Sequence, residues 1–218
     1  AVAIGRDVPY GKDDLVPLGI VAFDYTVITT KPSPERGSLR AVMELAKRNP
    51  KPLTYGSPGI GSPSQMGMEV LKLIFDADIT SVPYSGTSPV VTAVLGGHVD
   101  LGATALSSTM AYIKSGSLTP LAVNSPSRLQ TLPAVPTIAE LGRPGTPNFW
   151  LGFFVPAKVP APVLNELTNA LALVVKDPQT KIGLEKVGLI VDYRDPDASR
   201  TLVADEMKAI IELAKIVK

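Results

Sequence analysis

The run Leu53-Thr-Tyr-Gly-Ser-Pro-Gly-Ile-Gly-Ser-Pro-Ser-Gln65 constrains the fold more than any other stretch, because it commits the chain to a strand, a sharp turn and a helix start in succession. Leu53 to Tyr55 reads as a short strand after Asn49-Pro50, and Gly56, Gly59 and Gly61 let the backbone turn tightly and approach a ligand closely. Ser62 fits a helix N-cap. Pro63 fits the first helical position, where its missing N–H costs nothing, and Gln65 the third, which completes a capping box. The helix that follows is predicted to bury Met66, Val70, Leu71, Leu73 and Ile74 on one stripe, which would hold the N–H groups of its first turn in a fixed place. Those N–H groups, the positive end of the helix dipole and the hydroxyls of Ser57 and Ser62 suit a carboxylate or a phosphate. The same residues also serve a well-capped turn that binds nothing.

The unit recurs along the chain. Strands are predicted at 53–56, 79–83, 99–103 and 118–123, with helices at 63–75, near 89–95 and near 108–114, so the fold class is α/β with a mostly parallel or mixed sheet. In such sheets ligands sit beyond the carboxyl ends of the strands. After the second strand comes Pro83-Tyr84-Ser85-Gly86-Thr87-Ser88-Pro89, in which Ser88 and Pro89 repeat the cap and first-position pair of Ser62 and Pro63. After the third comes Gly102-Ala103-Thr104-Ala105-Leu106-Ser107-Ser108. Three strand ends thus offer small residues, hydroxyls and helix starts with almost no charge, a set of neutral donors suited to reversible capture of a small anion.

Catalysis and cofactor chemistry find little support. The single histidine, His98, follows the turn Gly96-Gly97 and begins the third strand, at the end of the sheet away from these loops. With one histidine and no cysteine, no His-based metal cluster and no Cys-His dyad can form. Gly59-Ile60-Gly61 lacks the third glycine of a dinucleotide fingerprint, and no P-loop lysine is present. No cofactor is expected. A net charge of +1 with 6% aromatic residues gives no basic, aromatic-laced face for nucleic acid. The 218 residues, 45% of them hydrophobic, suffice for a sizeable core in one large domain or two small ones.

On either side of this repeat lie segments of another character. Ala1 to Asp14 reads as irregular, Val16 to Ala22 and Tyr25 to Thr30 as strands, and Lys31-Pro-Ser-Pro34 as a stop and candidate hinge. Ser38 caps a helix carrying Leu39, Val42, Met43 and Ala46. Arg128 to Thr137 is a proline-punctuated connector, and Arg143-Pro144-Gly145 to Pro147 a second candidate hinge. Phe149 to Val155 is strand-like, followed by a helix with Val163, Leu164, Leu167, Leu171 and Val174 on one face. Asp177-Pro178 starts another helix ending at Gly188, Leu189 to Tyr193 forms a strand, and Asp195-Pro196 starts a final amphipathic helix. The expected division is 32–146 as a contiguous ligand-binding lobe, with 1–31 and 147–218 together forming part of a first lobe.

The chain resembles the substrate-binding proteins of the tripartite tricarboxylate transporters, the Bug or TctC-like family. The resemblance runs through Leu15-Val-Pro-Leu, the Leu53 to Ser62 run, Val82-Pro-Tyr-Ser-Gly-Thr-Ser-Pro, Leu95-Gly-Gly-His-Val-Asp, Leu121-Ala-Val-Asn-Ser, Arg128 with Leu132-Pro-Ala-Val-Pro-Thr-Ile-Ala-Glu, and Trp150-Leu-Gly-Phe-Phe-Val-Pro. It implies a two-lobed, periplasmic-binding-protein-like (type II) clamshell, periplasmic after removal of a signal, that captures a small organic carboxylate and delivers it to membrane permease subunits. By the resemblance the ligand-facing residues are Ser57, Gly59, Gly61, Ser62, Gln65, Tyr84, Gly86, Thr87, Ser88, Thr104 and Ser108. Many relatives have histidine where this chain has Gln65, and Asp-Asn where it has Thr104-Ala105, which favours a plain carboxylate over a ligand with an amino group. Family members usually begin with a further first-lobe segment, so the first lobe is expected to be incomplete here. The apolar faces of the C-terminal helices, Val163-Leu167-Leu171-Val174 and Leu202-Ile210-Leu213-Val217, are then expected to drive self-association or to seat a partner segment. Two other readings stay open: the ligand-sensing effector domain of a transcription regulator, and a serine-dependent hydrolase, for which no base is apparent.

Overall fold

The computed structural model describes residues 9–11, 13–142 and 146–216. The hinge reading at Arg143-Pro144-Gly145, the end of the last apolar stripe at Val217 and most of the opening segment lie outside the described residues. Strand β1 (Leu15–Asp24) is followed by β2 (Thr26–Thr30), α1 (Leu39–Arg48), β3 (Leu53–Ser57), α2 (Pro63–Phe75), β4 (Ile79–Pro83), α3 (Thr87–Gly96), β5 (Leu101–Ala105), α4 (Leu106–Lys114) and β6 (Thr119–Val123). Then come β7 (Phe149–Pro156), α5 (Ala161–Lys176), α6 (Pro178–Lys186), β8 (Ile190–Arg194) and α7 (Pro196–Ile216). The chain divides into two compact units, Tyr25–Asn148 and the combination of Ala1–Asp24 with Phe149–Lys218.

The Tyr25–Asn148 unit holds a five-stranded sheet in the order β4-β3-β5-β2-β6. β3 runs parallel to both β4 and β5, whereas β2 is antiparallel to β5 and β6, so the sheet is mixed. The sequence reading sets β2 apart from this sheet and puts the first hinge after Thr30. Instead Thr26 pairs with Ala105 and Thr30 with Leu101. All five residues of β2 are buried, which suits a central strand with helices over both faces, and the two units part at Asp24/Tyr25 and Asn148/Phe149 rather than near 31 and 146.

Close seating of α3 explains two glycines. Gly56 and Gly102 are register neighbours on β3 and β5. A Cβ at Gly56 would lie 2.9 Å from Val90 Cγ1, and one at Gly102 would lie 2.8 Å from Val94 Cγ2. The helix therefore packs on bare backbone, with Val90, Val91, Ala93 and Val94 buried beside Val99 and Leu118.

α2 covers the other face with Ser64, Met66, Gly67, Met68, Val70 and Leu71 buried. The predicted stripe errs at one end, since Leu73 is exposed and Ile74 only partly covered. Leu71 is fully buried as expected, and Met68, which the stripe omitted, is fully buried as well; each such side chain contributes about 1.5–3 kcal/mol through burial.

In the other unit β1 is the middle strand of an antiparallel sheet, order β7-β1-β8. The Ser199 hydroxyl, fully buried near the start of α7, accepts from the Ile20 N–H at 2.9 Å and donates to the Arg194 carbonyl at 2.9 Å. This ties helix to strand. Apolar side chains stay in water here: Leu151 and Phe153 on β7, Val163, Leu167, Leu173 and Val174 on α5, and Ile182 on α6 are all exposed.

Candidate functional site

Because β3, β4 and β5 are mutually parallel, Ser57, Pro83 and Ala105 close their strands on one edge of the sheet, and antiparallel β2 begins there at Thr26. The loops on this edge, 57–62, 84–86 and the β5–α4 junction, contain no charged side chain. Charge collects at the other edge. Asp100 accepts from the Thr54 N–H at 2.8 Å and the Thr54 hydroxyl at 3.0 Å, and pairs with Arg36 at 2.8 Å. His98 lies at that same far end, exposed, its N–H donating to the Ala93 carbonyl at 2.8 Å.

The first loop is held by its own hydrogen bonds. The Ser62 hydroxyl accepts from the Gln65 N–H at 3.2 Å, the Ser62 N–H donates to the Gly59 carbonyl at 3.2 Å, and Gln65 Oε1 accepts from the Gly61 N–H at 2.6 Å. The expected capping box is thus shifted by one residue, with Gln65 reaching past the N-cap to Gly61. Gly59 at φ 132° and Gly61 at φ 75° occupy backbone conformations that a side chain would strain, which lets the turn close within so few residues. In the first turn of α2, Pro63 has no N–H, Gln65 donates to the Ser62 hydroxyl and Met66 to the Ser62 carbonyl, which leaves the Ser64 N–H and the positive end of the helix dipole at this edge.

Under the loop, Tyr55 is fully buried and its hydroxyl donates to Glu69 Oε1 at 2.5 Å, while Lys72 pairs with the same carboxylate at 2.9 Å. Burial, with the Glu69 carboxylate adding to it, pushes the Tyr55 phenol well above its usual range. Sequence reasoning passed over this network because Tyr55 and Glu69 are on different elements and share no local pattern.

The second loop departs from expectation. α3 is capped by Gly86 and begins at Thr87, so Ser88 and Pro89 are its second and third residues rather than the cap and the first. Pro89 still forgoes only an N–H that a helix start leaves unbonded, which is why a Ser-Pro pair fits two registers. The Tyr84 N–H donates to the Ser57 carbonyl at 2.8 Å, joining first loop to second. The Ser108 hydroxyl donates to Thr87 Oγ1 at 3.0 Å, joining third to second. The structure therefore links Ser57 with Tyr84, and Thr87 with Ser108, while Ser88 stays exposed on its helix.

Two hydroxyls at this edge stand out. Ser57 and Thr104 are fully buried, and neither Ser57 Oγ nor Thr104 Oγ1 has a hydrogen-bond partner. Alternation along the strands puts Ser57 on the α2 face, opposite Gly56, and Thr104 on the α3 face with Gly102, so the two hydroxyls flank the edge from either side. Each buried hydroxyl without a partner costs about 1–3 kcal/mol, a cost that a bound acceptor would offset. Among the described residues no group of three or more His, Asp or Glu side chains could hold a metal ion, and no helix is long and apolar enough to cross a membrane.

Ser62→Ala is expected to remove one cap hydrogen bond and lower stability by about 1 kcal/mol, with weaker anion binding as a second effect. Denaturant melts alongside a binding titration check both; a stability loss with unchanged affinity would make the loop purely structural.

An α/β unit with a helix-start cluster at the carboxyl edge of its sheet, connected twice to a second sheet-bearing unit, is the fold of two-lobed periplasmic binding proteins. The chain belongs to the tripartite tricarboxylate transporter family receptors, TctC, whose family model matches residues 4–217. It is 29% identical over 203 residues to the protein BugT of Bordetella pertussis, and 28% identical over 207 residues to a UPF0065 protein of Agrobacterium vitis. The matches take in 92% and 94% of this chain but only 62% and 60% of those relatives' length. Among solved structures it is similar to the R. palustris protein Rpa4515 with adipate (25% identity, TM-score 0.85, covering 96% of this chain and 71% of that one). It is also similar to the periplasmic binding protein BugD (27% identity, TM-score 0.80, covering 94% and 70%).

Proposed function

We propose that this protein is a periplasmic receptor that binds a small organic carboxylate at the carboxyl edge of the five-stranded sheet and hands it to the permease subunits of a tripartite tricarboxylate-type transporter, without catalysing a reaction. The observation that carries the reading is the composition of that edge: three loops without a charged side chain, helix starts at α2 and α3, and the unpartnered hydroxyls of Ser57 and Thr104. Such a set stabilises a carboxylate through dipoles and neutral donors, and lets it leave again. No carboxylate that could pair with a ligand's amino group is present in these loops, which favours ligands that carry only carboxylates. Family membership supports the receptor role, and the adipate bound to the R. palustris protein supports the ligand class.

Thermal melts with dicarboxylates of four to six carbons, run beside diols and diamines of matched length, test the proposal. At a ligand concentration 100 times Kd, stability is expected to rise by about 2.7 kcal/mol, for the dicarboxylates alone. Equal shifts with diols, or shifts with none of the three, would contradict it.

Self-association belongs to the same proposal. β7 is an edge strand bearing exposed Leu151 and Phe153, and α5 adds exposed Leu167 and Val174, an apolar surface of the kind that pairs with its own copy through an open strand edge. Sedimentation of the 218-residue chain at low micromolar concentration is expected to show a dimer or larger species. A stable monomer would contradict it.

A further inference from the structure

From Gly61 to Met66 the backbone N–H groups are largely taken up by the loop and the helix start themselves. Ser62 donates to the Gly59 carbonyl at 3.2 Å, Gln65 to the Ser62 hydroxyl at 3.2 Å and Met66 to the Ser62 carbonyl at 3.1 Å. The Gly61 N–H is bonded from outside the turn: its acceptor, at 2.6 Å, is the side chain of Gln65, which reaches back from α2. Gly61 and Gly59 hold positive φ angles of 75° and 132°. Glycine has more backbone freedom to lose than any other residue, so a turn built on two of them is kept in one shape by what bonds to it.

The helix face that carries Gln65 is anchored in turn. Gln65, Glu69 and Lys72 follow one another at spacings of four and three residues, which puts them on one face of α2. Glu69 accepts from the hydroxyl of the fully buried Tyr55 at 2.5 Å and pairs with Lys72 at 2.9 Å. Tyr55 belongs to β3, so this contact fastens the Gln65 face of α2 to the strand that leads into the loop.

We propose that Gln65 is a positioning residue rather than a ligand contact: its carboxamide oxygen holds the Gly59–Gly61 turn in the binding shape before a ligand arrives, from a helix face that Tyr55 and Glu69 keep in place. The inference rests on the carboxylate reading of this edge and deepens it. With the N–H groups of Gly61, Ser62, Gln65 and Met66 engaged, the donors left to an anion here include the Ser57 hydroxyl and the Ser64 N–H. A turn that is already ordered adds no ordering cost to binding, so affinity depends on Gln65 although its side chain touches no ligand atom.

Two variants of the 15N-labelled chain test the assignment. Gln65→Met keeps the length of the side chain and leaves only a weak acceptor, whereas Gln65→Glu keeps an acceptor oxygen. In Gln65→Met the Gly61 amide is expected to exchange with deuterium about tenfold faster than in the parent, and adipate to bind about tenfold more weakly. In Gln65→Glu the Gly61 amide is expected to stay protected. When adipate saturates the parent, the side-chain NH2 resonances of Gln65 are expected to shift less than the Ser64 amide. A Gln65→Met protein that binds adipate as tightly as the parent would overturn the proposal. So would a fast-exchanging Gly61 amide in the parent, or a Gln65 side chain that shifts more than Ser64, and neither of these results depends on whether a variant folds. If the parent binds no dicarboxylate, the carboxylate reading fails, while the Gly61 exchange rates still decide whether Gln65 braces the turn.

Discussion

Thr104→Asp is expected to reduce carboxylate affinity by about 100-fold or more while leaving the fold recognisable. Thr104 is fully buried in β5, one residue short of the strand end, and its hydroxyl has no partner. A second carboxylate about 4 Å from a bound one at an effective dielectric constant near 20 is repelled by roughly 4 kcal/mol, which sets the scale of the loss. The same substitution carries a pH signature. Burial without a partner raises the folded-state pKa of the new aspartate above its unfolded value of about 3.9. Between those two values the folded state holds more protons than the unfolded one, so stability falls as pH rises through that window and is level above it. The variant should therefore come nearest to the parent below about pH 4. Calorimetric titration and urea melts across pH check the two effects, and unchanged affinity in a folded Thr104→Asp protein would remove Thr104 from the site.

Leu71→Ala is expected to lower stability by about 2–5 kcal/mol. Leu71 is fully buried on α2, the helix whose first turn lies at the candidate site. Removing three heavy atoms from a packed interior forfeits transfer free energy and leaves a cavity behind. Leu73→Ala, two residues on and exposed, is the matched control and should cost little. Equal losses at the two positions would mean that α2 is not seated as described.

What the sequence made legible was local chemistry. Ser62 with Pro63, Ser38, Asp177 and Asp195 each place a side-chain acceptor within three residues of the amide it serves, and all four caps form as read. The start of α3 was misplaced because Ser88-Pro89 satisfies a helix start in either of two registers, and nothing local separates them. The end of the α2 stripe was misread because Leu73 and Leu71 are alike in polarity and differ only in which side the helix turns to the sheet.

Pairings between distant segments were not legible at all. That β2 enters the five-stranded sheet follows from its antiparallel match to β5, and that Asn124 meets Thr146 and Asn148 follows from how the chain returns to the same edge. Neither leaves a periodic trace. The candidate site falls between these cases: its loops and helix starts could be read, whereas the burial of Ser57 and Thr104 on opposite faces of the sheet needed the strands' register.

Amide-resolved NMR of the 15N-labelled chain titrated with adipate tests the central claim most directly. The expected result is a saturable shift confined to the amides of Ser57 to Gln65, Tyr84 to Ser88 and Thr104 to Ser108, with those around His98 and Asp100 at the far edge unmoved. Saturable shifts centred elsewhere, or none up to millimolar adipate, would contradict the assignment of this edge as a carboxylate site.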